Sequence, residues 1–245
     1  MSACSDTRSP ARDLLVGCQI LDGERLTDAF GHISARLTSG EILLTPRIGP
    51  GLVFDEHQLL RLAPDGEVLE GDGTLVPGEA AIHLSVLHAR PEIACVCRFH
   101  GAACLAWSTL GRPLPATTGP ALLFGPRVGV FDTASTITTP EQGKALAATL
   151  GGDSAILLRG FGAVTAGSSV ADAVVRATLL ERSAAAVLAA SAIADPHAYP
   201  VDAAEAFAQR HAVVAEQIRR AWSYLQARWC ASAPRISNHR GKEPV

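Results

Sequence analysis

Hydrophobic and polar positions follow two different periods along this chain, and together they predict a mixture of helices and short strands. Spacing near 3.6 residues predicts helices over residues 11–25, 79–90, 102–110, 139–150, 169–192 and 203–229. Alternation and short apolar runs predict strands over residues 31–37, 41–45, 128–131, 155–158 and 163–166, with two more inside 59–69 on either side of a Pro-Asp-Gly turn. Strands and helices do not alternate strictly, so the pattern favours an α/β sandwich over a barrel.

Residues 78–108, GEAAIHLSVLHARPEIACVCRFHGAACLAWS, hold the most informative pattern. A predicted helix carries Glu79 and His83 four residues apart on one face, and we expect His83 to pack or to bond locally. The following strand ends with Arg98 and His100, which alternate onto the same face. A carboxylate, a guanidinium and an imidazole that emerge together are the ingredients of a site, although an ordinary salt-bridged strand end has the same composition.

Composition and charge narrow the class of protein. Of 245 residues, 48% are hydrophobic, which is enough for a sizeable core, and the formal net charge is −3. Such a small charge, with scattered Lys and Arg, gives no sign of a nucleic-acid surface. We expect a single domain over residues 10–230, a disordered N-terminus over residues 1–9 and a disordered tail over residues 231–245.

Cysteine usage and the first residues bear on the compartment. Six cysteines show no C-x-x-C spacing, which favours buried free thiols in a reducing environment. The first twelve residues, MSACSDTRSPAR, have neither the basic start nor the apolar run of a secretory leader. The Ala-rich run at residues 183–194 is too short to span a bilayer. We therefore expect a cytoplasmic protein with no membrane partner.

Residues 78–108 resemble the core of the class II aldolase/adducin family, in which a Glu-bearing helix with a His is followed by Arg-Pro, a hydrophobic strand and His-x-His. Two further segments resemble family motifs in the same order, Gly31-His32-Ile33-Ser34 and LLRGFGAVTAGSSVADA at residues 157–173. The resemblance covers about residues 10–195. It implies a three-layer α/β/α sandwich with a central, mostly antiparallel sheet, and a homotetramer with active sites at its interfaces.

In typical members of that family a divalent metal is held by both histidines of His-x-His and by a third histidine before a Gly. By position, Glu79 and His100 match this set, whereas Arg98 and Phe161 replace two of the histidines. A guanidinium has no accessible lone pair and would repel a cation, so it cannot act as a ligand. We therefore predict no cofactor and no metal held by the usual ligands, and leave open a divalent metal at Glu79 and His100.

The family's phosphate-binding loops are altered as well. Pro77 and Gly78 stand where sugar-phosphate aldolases carry a Ser-rich turn, and proline offers neither an amide hydrogen nor a hydroxyl. The predicted substrate is therefore a small molecule without phosphate. His32, Ser34 and Arg47 are candidates for binding a carboxylate, and each could equally stabilise a turn or face solvent.

The resemblance and these replacements favour a lyase that acts on a carboxylate-bearing substrate, for example in the decarboxylation of a hydroxylated aromatic acid. In this hypothesis Arg98 holds the carboxylate or stabilises developing negative charge, and Glu79 handles the proton. His100 polarises or protonates, and Phe161 stacks on the ring. The alternatives are a metal-dependent aldolase or dehydratase with an unconventional ligand set, a non-catalytic binding module like the adducin head, and a decayed site.

Overall fold

The computed structural model describes residues 9–133 and 135–230. In these residues the chain forms a nine-stranded sheet in the order β4-β3-β2-β1-β5-β9-β8-β7-β6. All neighbouring strands are antiparallel except β7 and β8, which are parallel. The strands are β1 His32–Arg36, β2 Ile42–Leu44, β3 Leu60–Leu62, β4 Val68–Glu70, β5 Cys95–Phe99, β6 Leu114–Pro115, β7 Arg127–Phe131, β8 Ala155–Leu158 and β9 Gly162–Gly167.

Helices cover both faces of this sheet, which confirms the predicted α/β sandwich with a central, mostly antiparallel sheet. One apolar cluster packs the sheet against α1, α3, α5 and α7, and a second packs it against α2 and α4. The helices are α1 Pro10–Gly23, α2 Ala80–Ala89, α3 Ala102–Ser108, α4 Pro140–Leu150, α5 Val170–Ser191, α6 Val201–Ala208 and α7 His211–Cys230.

Strand β5 shows how the alternation of side chains divides the two layers. Cys95, Cys97 and Phe99 belong to the cluster under α1 and α5, and Val96 belongs to the cluster under α2 and α4. Arg98 therefore points to the α2 side, away from the two thiols, as the sequence predicted. The α2 side of β5 thus combines an apolar residue with a buried cation.

The structure corrects the sequence-based boundaries in three places. Residues 203–229 form two helices, α6 and α7, where the periodicity predicted one. The break has a physical reason, because α6 packs on the short 3₁₀ segment Gly119–Phe124, whereas α7 packs on α1 and α5. That 3₁₀ segment and β6 lie in a Pro- and Gly-rich stretch for which the sequence predicted no regular structure.

Three further predictions concern the chain termini, the cysteines and membrane-spanning segments. Disorder was predicted over residues 1–9 and 231–245; residues 1–8 and 231–245 lie outside the described residues, whereas Ser9 is the N-cap of α1. The single-domain boundaries stay a prediction. Cys18, Cys95, Cys97 and Cys104 are buried free thiols, and burial raises the pKa of Cys97 to about 12. No helix within residues 9–133 and 135–230 is long and apolar enough to cross a bilayer.

Helix α7 is tied to α1 by a polar contact at the end of α1. Glu24 accepts a hydrogen bond from the indole of Trp229 at 2.9 Å and another from the guanidinium of Arg182 at 2.8 Å. Trp222 and Leu225 bury the apolar side of α7 in the first cluster. Glu24 therefore joins α1, α5 and α7 at one point.

Helix α2 is held in place by an unusually close approach of α4. A Cβ placed on Gly143 would lie 2.5 Å from the carbonyl oxygen of Ala81 and would also strike the Ser85 hydroxyl. Only a hydrogen at this position allows the two helices to pack at the observed separation. The position of α2, and of every side chain that it carries, depends on this glycine.

We expect Gly143→Ala to lower the free energy of unfolding by about 1–3 kcal/mol, because the added methyl group overpacks a contact with backbone. Urea denaturation monitored by circular dichroism would measure the change. Gly152→Ala is the matched control, since no atom of the described residues lies within 4 Å of the added Cβ. Equal stability of Gly143→Ala and Gly152→Ala would contradict the role given to Gly143.

Candidate active site

The first strand supplies two polar side chains that face α2. Gly31 turns the chain into β1 with φ of 94°, and a side chain there would strike Thr27. His32 and Ser34 then alternate onto the α2 side of the sheet, and both are buried. In the antiparallel register of β1 and β5, His32 lies directly opposite Arg98. Directly opposed residues in neighbouring strands are close enough to interact.

Glu79 meets this pair from the start of α2. The structure places Glu79 at the N-cap, one residue before the helix, with no side-chain capping bond to α2 in the described residues. Its Oε2 lies 3.0 Å from Nε of Arg98 and 3.7 Å from Nε2 of His32. The Arg98 side chain is only 6% exposed and that of Glu79 14%, so the ion pair is largely shielded from water.

A second histidine extends the cluster behind His32. Nε2 of His83, on α2, lies 2.5 Å from Nδ1 of His32, and Nδ1 of His83 lies 2.7 Å from the hydroxyl oxygen of Ser34. His83 is completely buried. Ser34, His83, His32 and Glu79 therefore form a continuous polar chain, which we call the Ser34–Glu79 chain, and Arg98 pairs with its carboxylate end.

Burial and charge set the protonation of these groups. Burial alone would raise the pKa of Glu79, but the neighbouring His32 imidazole and the Arg98 guanidinium outweigh it, so the pKa lies below its usual range. Burial lowers the pKa of His32, partly opposed by Glu79, and the positive charge of Arg98 adds to the lowering. Burial also holds the pKa of His83 well below its usual range. At neutral pH the site contains an ionised Glu79 and two neutral imidazoles.

Some polar atoms of this cluster are left without partners. Oε1 of Glu79 and both Nε and Nη1 of Arg98 are buried and have no hydrogen-bond partner in the part of the chain that the structure describes, although Nε lies in the ion pair with Glu79. An unpaired buried donor and acceptor are costly unless a ligand or water completes them. The cluster therefore presents one free acceptor and one free charged donor.

A cleft of about 290 Å³ opens onto the carboxylate end of the chain. Its volume suits a molecule the size of a substituted benzene ring, near the small end of ligand pockets. Phe30 stands at this cleft with 72% of its surface exposed. The lining residues are Ala29, Phe30, Gly31, His32, Arg47, Pro77, Gly78, Glu79, Thr136 and Thr138.

The seven predicted site residues differ in their position relative to the cleft. His32, Glu79 and Arg47 line the cleft, and Arg98 lies directly behind Glu79. Ser34 is withdrawn from the cleft and contacts His83 instead. The described part of the cleft wall therefore includes three of the seven residues.

The other two predicted site residues have different surroundings. His100 follows β5, with Nε2 3.4 Å from a carboxylate oxygen of Asp28 and its ring edge-on to Phe30. Phe161 lies in the turn between β8 and β9, half-buried against the second apolar cluster. Neither residue belongs to the described cleft wall.

The family resemblance implies a metal ion held by three histidines. Within residues 9–133 and 135–230, no three His, Cys, Asp or Glu side chains converge as metal ligands would. The guanidinium of Arg98 contacts the Glu79 carboxylate, where it adds positive charge and offers no lone pair. The described residues therefore do not fit the usual three-histidine ligand set.

His83 is the site residue that the sequence interpretation missed. We expected it to pack or bond locally, but both of its partners are about fifty positions earlier in the chain, at separations of 49 and 51 residues. Its spacing from Glu79 on one helix face was a correct signal. What the spacing could not show was that β1 would bring His32 and Ser34 against that face.

Two solved structures with the same fold are aldolases or aldolase-related proteins by name. An L-fuculose 1-phosphate aldolase matches with a TM-score of 0.75 at 23% identity, covering 86% of this chain and 98% of that one. An aldolase II superfamily protein from Pseudomonas syringae matches with a TM-score of 0.77 at 22% identity, covering 95% and 98%. At these identities the likeness establishes the fold, a class II aldolase-like α/β sandwich.

Sequence comparison establishes the family. Residues 12–188 match the model of the class II aldolase and adducin N-terminal domain, so the chain belongs to this family. The meiotically up-regulated gene 14 protein of Schizosaccharomyces pombe is 30% identical over 157 residues, 62% of this chain and 61% of that protein. The chain thus spans less than two thirds of that relative.

Two bacterial relatives are decarboxylases by name. The 3,4-dihydroxyphthalate decarboxylase of Terrabacter sp. (strain DBF63) is 31% identical over 173 residues, 65% of this chain and 72% of that enzyme. Decarboxylase NovR of Streptomyces niveus is 31% identical over 161 residues, 65% of this chain and 60% of that protein.

The buried ion pair predicts a pH-dependent loss of stability in Arg98→Met. At pH 7 we expect this variant to lose about 3–5 kcal/mol, because an ionised carboxylate is left without its buried partner. In the wild type the folded pKa of Glu79 is lowered, so its contribution is full above the unfolded pKa and disappears as pH falls through the folded pKa. Without Arg98 the buried Glu79 carboxylate has a higher pKa in the folded variant than in the folded wild type, so the difference between the two proteins should shrink as the pH falls from 7 to about 4.

Urea denaturation at both pH values measures that difference. The control is Arg159→Met, which removes an arginine that pairs with Asp132 at an exposed site and should cost less than about 1 kcal/mol. A loss in Arg98→Met that is independent of pH would show that Glu79 and Arg98 are not electrostatically coupled.

Proposed function

We propose that this chain is a lyase for a non-phosphorylated small molecule that carries a carboxylate, with decarboxylation of a hydroxylated aromatic acid as the favoured reaction. The observation that supports it best is the buried Arg98–Glu79 pair behind the cleft, with a free acceptor on Glu79 and a free charged donor on Arg98. A fixed positive charge beside an acid–base group is what the departure of a carboxylate requires.

Relatives of this chain support the reaction class. Several family members with about 30% identity are decarboxylases by name, and their named substrates include 3,4-dihydroxyphthalate, a hydroxylated aromatic acid. The cleft of about 290 Å³ suits a single ring with small substituents, and exposed Phe30 offers it an aromatic edge or face. Substrate size and relatives therefore favour the same chemical class.

The proposed reaction begins with proton transfer from the substrate. Ionised Glu79 takes the proton of a phenolic hydroxyl, and Arg98 stabilises the phenolate that forms. The electron pair of the phenolate moves into the ring, and protonated Glu79 returns the proton to the ring carbon that bears the carboxylate. The C–C bond then breaks, carbon dioxide leaves, its bonding electrons restore the aromatic ring, and the phenolate takes a proton from water.

Substrate orientation falls to residues on the cleft wall. Arg47 projects from the loop after β2 and supplies a guanidinium whose fork matches a carboxylate. His32, through Nε2 at 3.7 Å, lies against the same Glu79 oxygen as Arg98 and helps to hold the position of the carboxylate. In this proposal Arg98 acts as an anion clamp at the site where other family members place a metal ligand.

His100 and Phe161 have supporting roles in the proposal. The ring of His100 lies edge-on to Phe30, with centroids 6.3 Å apart, so it can polarise or protonate a group bound near that side of the cleft. Phe161 lies half-buried against the second apolar cluster, outside the described cleft wall, and supplies an apolar ring where a metal-binding histidine would be polar.

Activity is tested first with a panel of hydroxylated benzoic and phthalic acids, including 3,4-dihydroxyphthalate, by measuring carbon dioxide release and loss of substrate absorbance. On a substrate that turns over, Glu79→Gln should lower kcat by about 10²–10⁴-fold, because the amide keeps the shape and loses the proton transfer. Arg98→Met should lower kcat strongly as well, because the developing negative charge loses its partner.

The matched control for these variants is Arg159→Met, an exposed arginine outside the cleft, which should keep wild-type rates. If Glu79→Gln turns over every accepted substrate at the wild-type rate, the lyase proposal is wrong. Ligand binding that survives without any turnover would instead favour the non-catalytic binding module.

We expect chelation to leave this activity unchanged, because the described donor set lacks three convergent metal ligands and Arg98 adds positive charge. Protein purified without chelators is analysed for bound zinc, manganese and iron, then assayed before and after dialysis against EDTA. Stoichiometric metal whose removal abolishes turnover would replace the present proposal with the metal-dependent aldolase or dehydratase.

A further inference from the structure

We infer that His83 is a positioning residue that fixes His32 as the tautomer protonated on Nε2, so that His32 always presents a donor to the Glu79 carboxylate. The inference rests on the proposed function for its catalytic meaning. Its structural content concerns only where protons lie in the Ser34–Glu79 chain, and can be tested on the protein without substrate.

The direction of the chain follows from its charged end. Glu79 is paired with Arg98 at 3.0 Å and is ionised, so it is an acceptor only. The nitrogen of His32 that faces it, Nε2 at 3.7 Å, must therefore carry the hydrogen, since a lone pair there would be repelled by the carboxylate.

A neutral imidazole has one donor and one acceptor nitrogen, so Nδ1 of His32 is then the acceptor. Its partner at 2.5 Å, Nε2 of His83, must be the donor. The remaining nitrogen of His83, Nδ1, in turn accepts the hydroxyl hydrogen of Ser34 at 2.7 Å. Every hydrogen of the chain thus points toward Glu79.

The same contacts exclude the opposite arrangement, in which every hydrogen of the chain points toward Ser34. Reversal would leave bare Nε2 of His32 facing an ionised carboxylate. An imidazolium at His32 would have to form in a buried position close to the permanent charge of Arg98. Both imidazoles are buried, and the neutral arrangement gives each of their nitrogens a partner of the matching kind.

The functional consequence concerns the orientation and charge of Glu79. A His32 donor that cannot flip its tautomer keeps its hydrogen directed at Oε2, the oxygen paired with Arg98, and leaves the buried Oε1 as the acceptor without a partner. In this pair of histidines the outer residue, His83, acts on Glu79 only through the inner residue, His32. His83 therefore has no contact with the cleft and still controls what Glu79 presents to it.

Histidine-labelled protein and two-bond proton–nitrogen correlation spectra measure the tautomer directly. The chain has eight histidines, and the signals of His32 are assigned from their loss in His32→Gln. In the wild type at neutral pH we expect His32 to be neutral with its proton on Nε2. A proton on Nδ1, or on both nitrogens, would overturn the inference even if no variant of His83 folds.

Two substitutions at His83 separate positioning from packing. Glutamine carries a donor and an acceptor and can replace both bonds of the imidazole, so His83→Gln should keep the single His32 tautomer. Leucine has a similar size and no polar atom, so His83→Leu should give a mixture of tautomers. A role in packing alone predicts the opposite order, with leucine tolerated better in a buried position.

On any accepted substrate, His83→Leu should lower kcat by a part of the ~10²–10⁴-fold that acid–base catalysis contributes, with a smaller change in KM, and His83→Gln should restore kcat. The matched control is His88→Gln, which changes an exposed histidine on the same helix and should alter neither the spectrum nor the rate.

The lyase proposal and the role of His83 can fail separately. A correct tautomer with an active Glu79→Gln rejects the lyase scheme alone, and a wrong tautomer with an inactive Glu79→Gln rejects the role of His83 alone.

Discussion

The candidate site depends on one interaction, the buried ion pair between Arg98 of the central strand β5 and Glu79 at the start of α2. Neither charge would be stable in this position without the other, because an isolated buried charge is strongly disfavoured. The pair fixes α2 against the sheet at the point where β1 and β5 lie side by side. His32 and His83 can be neutral beside it because the guanidinium already balances the carboxylate.

This arrangement differs in its source of positive charge from the metal-dependent site that the family resemblance implies. A metal ion is acquired from solution and its ligands must be kept unprotonated. A guanidinium is part of the chain, is charged at every accessible pH, and has a fixed position set by its strand. A site built on Arg98 would be complete as soon as α2 packs on the sheet, and the strength of the Arg98–Glu79 attraction would depend on how well water is excluded.

The fold was largely predictable from local patterns, whereas the site was only partly so. The apolar spacing of α1, α4 and α5 and the hairpin of β1 and β2 follow from periodicity and turn residues, and the structure has them within a few residues of the predicted ends. The contact between His32 and Arg98 depends on the register of two strands more than sixty residues apart, which no local pattern contains. Likewise, the break between α6 and α7 arises from the different surfaces on which the two helices pack.

Glu24 has a consequence for how the chain reaches its final form. Its bond to Trp229 spans 205 residues, so α1 cannot gain all of its described contacts until residue 229 has been synthesised. Contacts of such long range form late, because the entropy of closing the intervening loop must be overcome first. During synthesis from the N-terminus, the apolar surface of α1 would therefore remain in need of protection until the last helix arrives.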